Sequence, residues 1–267
     1  MHHFACTLRR LAGLSAAALA LAPGLAWSQS GDENRDASAV TVSGTATLTS
    51  DYLFRGLTQT GGKPAVQAGV ELGGKAGFYA GSSGSNVGWL QDYQGYRAGS
   101  LELDLYGGWR FKPDEATTFD VGLIHYRYPG SRPAGVVRAD TTELLVGAAW
   151  RQLAAKLYVS AGDTFGFDAP AGSTYLDLSA AVPIGDGPWT IDLHAGRQRF
   201  RGAAGPFSYT DWKLGVRYDA STIGPAWNGT TVSLQYTDTN ADRALWTDLN
   251  GVNMGRARLS VILTRSF

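Results

Sequence analysis

The chain has a single cysteine, Cys6, which lies ahead of an apolar run rather than in the body of the sequence. Everything after it is therefore closed to disulfides, thiolate metal sites and cysteine nucleophiles. Imidazole chemistry is nearly absent too, because only His125 and His194 stand beyond residue 28. No apolar stretch of about 18 residues follows residue 28, so a membrane could be crossed only by strands. Charge of one sign is also missing: 23 Lys and Arg balance 23 Asp and Glu, which offers nucleic acid no basic face. The paired glycines Gly61-Gly62 and the pair Gly81 and Gly84 flank strands without a following helix or a Lys-Ser/Thr pair, so no phosphate loop is present.

What the chain does have is glycine, aromatic residues and alternation. It contains 35 Gly, 12 Tyr, 10 Phe and 8 Trp, a composition suited to many strands and turns. Arg9 and Arg10 precede an apolar run from Leu11 to Leu25, and the small residues Ala26 and Ser28 offer a cleavage site. Residues 1–28 thus read as a secretory signal peptide, residues 29–42 as a polar periplasmic lead, and residues 43–267 as the folded body.

Dyad alternation predicts twelve strands, at 43–54, 64–73, 76–85, 101–111, 117–128, 140–151, 154–163, 173–183, 189–199, 209–219, 227–237 and 257–267. Each has about the nine to eleven residues a tilted strand needs to cross a bilayer. In 101–111, Leu101, Leu103, Leu105, Trp109 and Phe111 alternate with Glu102, Asp104, Tyr106, Gly108 and Arg110. Charges on every second residue cannot sit in a dry core. The connections alternate between short (73–75, 112–116, 152–153, 184–188, 220–226) and mostly longer (55–63, 84–100, 129–139, 164–172, 200–208, 238–256). Short periplasmic turns and long external loops are the pattern of an all-β, transmembrane, antiparallel up-and-down barrel of about 12 strands. Outward-parity rings at Phe78, Trp109, Phe111, Phe119, Trp150, Trp189, Tyr218 and Phe267 form one belt, and Phe54, Trp212 and Tyr236 a second.

The last strand ends on Phe267. Leu259, Val261, Leu263 and Phe267 share one parity and Arg258, Ser260, Thr264 and Ser266 the other, with Arg265 and Ile262 as exceptions. A terminal aromatic on such a strand is an address for outer-membrane insertion by the barrel-assembly machinery.

The segment Thr49-Ser50-Asp51-Tyr52-Leu53-Phe54-Arg55-Gly56-Leu57-Thr58-Gln59-Thr60 resembles the first hairpin of the TorF family of porins. Three further stretches resemble it in the same order: Gly84-Ser85-Asn86-Val87, Leu101-Glu102-Leu103-Asp104-Leu105-Tyr106, and Asp120-Val121-Gly122-Leu123 running to Tyr128-Pro129-Gly130. The resemblance implies an outer-membrane barrel that passes solutes. It names no solute, cofactor or catalytic residue, and beyond residue 131 it is architectural only.

Inward parity places Glu102, Asp104, Asp120 and Glu143 on one wall and Lys213, Arg217 and Arg258 on the other. Opposed charged walls would make a transverse field that orders small polar solutes; alternatively the same groups pair across a filled interior and stiffen it. Arg197, Arg199 and Arg201 are candidates for binding the phosphates of lipopolysaccharide, or else a solvated loop cluster. Asp238, Asn240, Asp242 and Asp248 carry oxygen ligands without the spacing of a calcium loop, so no metal is expected, and no cofactor. The leading expectation is a passive outer-membrane channel for small polar solutes. The alternatives are a closed structural or adhesive barrel and a lipid-modifying enzyme centred on His194, near Asp192. The last would need a serine within reach of the imidazole.

Overall fold

The computed structural model describes residues 40–267, so the signal segment 1–28 and nearly all of the lead 29–42 lie outside the described residues. The strands are β1 (Thr41–Thr49), β2 (Leu53–Phe54), β3 (Leu57–Thr58), β4 (Ala65–Gly73), β5 (Phe78–Asn86), β6 (Leu101–Phe111) and β7 (Thr117–Arg127). They continue with β8 (Thr141–Trp150), β9 (Leu153–Ser160), β10 (Thr174–Pro183), β11 (Trp189–Arg199), β12 (Tyr209–Asp219), β13 (Thr230–Thr239) and β14 (Arg258–Ser266). All but β2 and β3 join as antiparallel neighbours in one closed, twelve-strand barrel. The seam lies between the first and last strands, with Thr45 opposite Ser266 and Thr49 opposite Ile262. Phe267 extends it by one residue, since its amide donates to Gly44 O at 2.9 Å and Gly44 N donates back at 3.3 Å. Closure satisfies every edge strand, which is what a sheet surrounded by hydrocarbon requires.

Side-chain parity follows the sequence pattern. Val66, Val70, Leu105, Val121, Leu144, Val146, Leu178, Leu193, Leu214, Leu234 and Val261 all project outward and are exposed. Between them, inward residues such as Glu102, Asp104, Asp120, Glu143 and Gln198 are buried. Phe78, Trp109, Phe111, Phe119, Trp150, Trp189 and Phe267 make a belt at the short-turn end of the barrel, with Trp109 stacked on Phe111 at 5.4 Å. Trp212 and Tyr236 pair at 5.2 Å in the outer one. The exceptions at the end of β14 now have reasons. Arg265 donates to Ala226 O and Thr230 Oγ1 at the short-turn rim, and Ile262 lines an internal cavity.

Apart from the end of the first strand, strand boundaries depart from expectation by at most three residues, as where the predicted 154–163 strand ends at Ser160, and two of the differences have a structural cause. The predicted 227–237 strand begins three residues later, because short 3-10 turns at Ala220–Ile223 and Pro225–Trp227 occupy the connection, the first capped by Asp219 accepting from Ser221 N. More consequentially, the predicted 43–54 strand stops at Thr49. The chain then leaves the wall, and residues 51–60 fold into the lumen as the small β2–β3 hairpin instead of forming an external loop. Phe54 therefore belongs to no membrane belt: its ring lies inside the barrel, 5.7 Å from Tyr126 and 5.4 Å from Phe165.

The wall accommodates bulky inward rings by placing glycines opposite them. A Cβ on Gly196 would sit 2.1 Å from Tyr175 Oη, a distance no side chain can tolerate. Tyr175 thus lies across β11 with its hydroxyl over Gly196, within reach of His194 and Asp211.

The inside-outside assignment predicts unequal costs for neighbouring substitutions in β6. Leu105→Arg, near the middle of an outward row, should destabilise the barrel by about 2–4 kcal/mol, whereas the inward Asp104→Asn should cost much less. Reversible urea unfolding in lipid vesicles measures both, and the opposite ranking would contradict the parity.

Candidate functional site

Asp51 anchors the base of the hairpin. Its carboxylate accepts from Thr58 Oγ1 at 2.5 Å, Thr60 Oγ1 at 3.0 Å and Arg258 Nη1 at 3.1 Å. Tyr52 Oη donates to Glu102 Oε1 at 2.6 Å, and Tyr128 Oη donates to the other oxygen of the same carboxylate at 2.7 Å. At the tip, Arg55 and Gly56 both take left-handed backbone, with φ of 48° and 81°. Gly56 is required there twice over: a Cβ would also meet Asp211 Cβ and Thr239 Cγ2 at 2.5 Å.

This tight turn drives Arg55 into the wall. Its guanidinium forms a bidentate pair with Glu143, Nη1–Oε1 3.0 Å and Nη2–Oε2 2.5 Å, and donates to Gln198 Oε1 at 2.9 Å. The guanidinium carbon stands 4.3 Å from the Tyr175 ring centre, 5.0 Å from Tyr158 and 5.3 Å from Phe165. Both charges are almost fully buried, at 5% and 1% side-chain exposure. Such a pair is costly to desolvate and stable only while both partners remain.

External loops close over the hairpin. Helix α1 (Trp89–Asp92) hangs from it, since Gln59 O accepts from Gly88 N and Trp89 N. Thr58 N donates to Met254 O in the last loop. Trp246 collects Tyr93, Phe167, Phe207 and Tyr209 within 5.5–5.8 Å, each such pair worth about 0.5–1.5 kcal/mol beyond simple burial. Tyr93 donates to Leu245 O, and burial pushes its phenol up to about 12, so it remains a donor.

Below the hairpin the lumen divides. On the β4–β9 side it is filled: Arg110 forms an ion pair with Glu71 and lies 3.7 Å from Asp120, which accepts from Tyr79 Oη and lies 3.8 Å from Lys156. On the β10–β14 and β1 side a cavity of about 210 Å³ runs from Tyr52–Gly56 to Thr231 and Thr264 near the short-turn rim. One flank carries Asp177, Asp192, His194, Asp211, Lys213 and Arg217, and the other mainly hydroxyls and amides, including Thr47, Gln67, Ser233 and Gln235.

Of the inward charges expected from sequence, Lys213 and Arg217 line this cavity, the latter bonded to Asp192 at 3.0 Å. Glu102, Asp104, Asp120, Glu143 and Arg258 face inward but are held by partners: Tyr52 and Tyr128, Ser83, the Arg110–Lys156 group, Arg55, and Asp51 respectively. They do not form two free opposing walls. Side-chain parity gave their direction, but not the inturned hairpin that partners three of them. The residues that sequence reading missed are Arg55 and Asp51, assigned to an external connection and a wall strand, and Asp177 and Asp211. The last two alternate correctly with Leu176, Leu178 and Trp212 and were open to the same parity argument.

His194 is flanked by two carboxylates, Nε2–Asp211 Oδ2 at 2.8 Å and Nδ1–Asp177 Oδ1 at 3.4 Å, with Tyr175 Oη 3.0 Å from Nε2. Its partners are thus cross-strand neighbours rather than Asp192. Ser179 stands opposite it in the ladder, but among the described residues no serine bonds to the imidazole. Asp242 Oδ1 accepts from Ala244 N and Leu245 N, and Asp248 Oδ1 from Asn250 N and Val252 N, all within their own loop. Among the described residues no metal-binding cluster occurs. Arg197, Arg199 and Arg201 are exposed at the outer end of β11, where Arg197 donates to Thr210 Oγ1 and Arg201 to Ala171 O.

Loss of either partner of the Arg55–Glu143 pair leaves a buried charge uncompensated, at about 3–5 kcal/mol. Arg55→Met or Glu143→Gln should therefore raise hydrogen exchange at the Gln59 amide, which donates to Tyr52 O across the hairpin, by about two to four orders of magnitude. Unchanged protection in both variants would show that the hairpin is held by something else.

Comparison with solved structures finds barrels of low sequence identity. A KdgM porin in complex with disordered oligogalacturonate shares 8% identity at a TM-score of 0.48, covering 86% of this chain and 99% of that one. A NanC porin shares 12% at 0.49, covering 84% and 98%. OccAB2 of Acinetobacter baumannii shares 8% at 0.44, covering 94% and 72%. No curated relative matches the sequence. Residues 33–267 match the family described as bacterial protein of unknown function (Gcw_chp), and the chain belongs to that family.

Proposed function

We propose that this protein is an outer-membrane channel for the passive diffusion of small polar solutes, closed in the conformation described by its own inturned hairpin. The observation that carries the reading is the polar cavity beneath the hairpin, lined by charged groups on one flank and by hydroxyls and amides on the other. A barrel serving only as a rigid post gains nothing from leaving that space unfilled, and apolar packing would stabilise it more. The resemblance of residues 49–130 to TorF porins supports the same reading.

In this reading a solute meets Lys213 and Arg217 in the cavity and, as the hairpin moves aside, Glu102, Glu143 and Arg258, whose partners the hairpin carries, while Asp104 and Asp120 brace the filled side. Arg197, Arg199 and Arg201 contact lipopolysaccharide phosphates in the outer leaflet, and Phe267 is read by the barrel-assembly machinery during insertion. Residues 1–28 direct export and are removed. The competing reading is a closed barrel whose long loops act as a structural or adhesive surface, favoured by the aromatic cluster that seals the outer end.

Planar-bilayer recording separates the two. The wild-type barrel should show infrequent discrete openings and Arg55→Met a much higher open fraction; silence from both proteins favours the closed surface barrel. Selectivity should follow the cavity charges: Lys213→Gln with Arg217→Gln shifts the reversal potential towards cations, and Asp177→Asn with Asp192→Asn towards anions. Both shifts should fade at 1 M salt, where screening leaves a reach of about 3 Å.

A further inference from the structure

Arg55 occupies a site that the rest of the barrel builds. Apart from the neighbouring Phe54, everything around the guanidinium comes from elsewhere: Glu143 from β8, Tyr158 from β9, Tyr175 from β10, Gln198 from β11, and Phe165 from the loop after β9. The carboxylate is presented edge-on for a two-point contact, the arrangement that matches a planar guanidinium rather than a point charge. The rings provide the electron-rich faces on which such a cation stacks. Glu143 is almost completely buried, so with Arg55 withdrawn it requires another cation or water in its place.

The location adds a second, independent observation. Phe54 and Arg55 line the cavity that reaches the short-turn rim, and the same two residues line a smaller space of about 40 Å³ above them, bounded by Trp89, Phe167 and Trp246. They are the partition between the two. Displacing the tip of the hairpin joins the spaces and exposes the Glu143 site to the path in one movement.

We propose that Glu143, Gln198, Tyr158, Tyr175 and Phe165 form a recognition site for solutes bearing a guanidinium group, and that Arg55 is a tethered ligand occupying it in the closed state. This deepens the channel reading by naming a solute class. A free guanidinium solute competes with Arg55 for one carboxylate, so occupancy by solute and displacement of the hairpin are the same event. Neutral solutes of equal shape lack the charge that Glu143 demands.

The site is tested by binding, which needs no conducting channel and so fails or succeeds separately from the channel reading. Full-length mature barrel refolded in detergent is titrated calorimetrically with methylguanidinium, with methylurea as the uncharged isostere. Arg55→Ala should bind methylguanidinium saturably, at least about tenfold more tightly than the wild type and than Arg55→Ala with Glu143→Gln, the loss expected for a charge-assisted bond. Methylurea should show no saturable binding. Equal binding of both probes, or binding of methylguanidinium that survives Glu143→Gln, overturns the proposal and leaves the pair as a purely structural latch. Should Arg55→Ala refold poorly, the readout becomes folded yield by heat-shift on gels. A yield restored by methylguanidinium and not by methylurea supports the site, and equal yields with the two overturn it.

Discussion

The bidentate contact between Arg55 and Glu143 is the constraint on which the interior depends. It joins the tip of a hairpin to the wall across 88 residues of sequence, in a place where neither charge has water to fall back on. Once Arg55 is fixed, the turn at Gly56 is pressed against Asp211 and Thr239, Tyr52 reaches Glu102, and Asp51 gathers Thr58, Thr60 and Arg258. The outer loops then have a floor to pack on, through Gln59 O to α1 and Met254 O to the hairpin. The same contact separates a small aromatic-walled space on the loop side from the polar cavity below it.

A barrel of twelve strands lies between those small enough to fill and those wide enough to conduct unaided. This chain resolves the ambiguity asymmetrically. The β4–β9 side is packed by the Glu71, Tyr79, Arg110, Asp120 and Lys156 network, with Arg110 stacked 3.6 Å from the Tyr79 ring. The opposite side keeps its space and lines it with hydrogen-bonding groups. The filled half gives the wall a rigid back, and the cavity lies beside it.

The wall was legible in the sequence because its physics is local. Lipid on one side and polar interior on the other impose a period of two, so the expected 101–111 strand matches Leu101–Phe111, and that at 209–219 matches Tyr209–Asp219. The hairpin was not legible, because Asp51 followed by the outward-parity rings Tyr52 and Phe54 reads as more strand, and Arg55 then falls in the connection after it. What bends the chain inward is the set of partners waiting in the lumen, Glu102, Glu143, Gln198 and Arg258, each at least 50 residues distant. A one-dimensional pattern carries no record of such pairings. The run from Ser50 to Thr60 did stand out, by resemblance, before its burial gave the reason. The charges Glu102 and Glu143 were placed on the inward face for the same local reason, while their hairpin partners were read as wall strand, for Tyr52, and as connection, for Arg55.

The central claim is that this hairpin stands between the outer face and the cavity. The absence of any cysteine after Cys6 makes a single engineered thiol a clean reporter. Ser233→Cys places one on the cavity wall, at a residue that is buried with the hairpin in place. A membrane-impermeant thiol reagent applied to intact cells should label it slowly in the otherwise wild-type barrel and much faster when Arg55→Met is added. Equal labelling rates in the two backgrounds would contradict the claim.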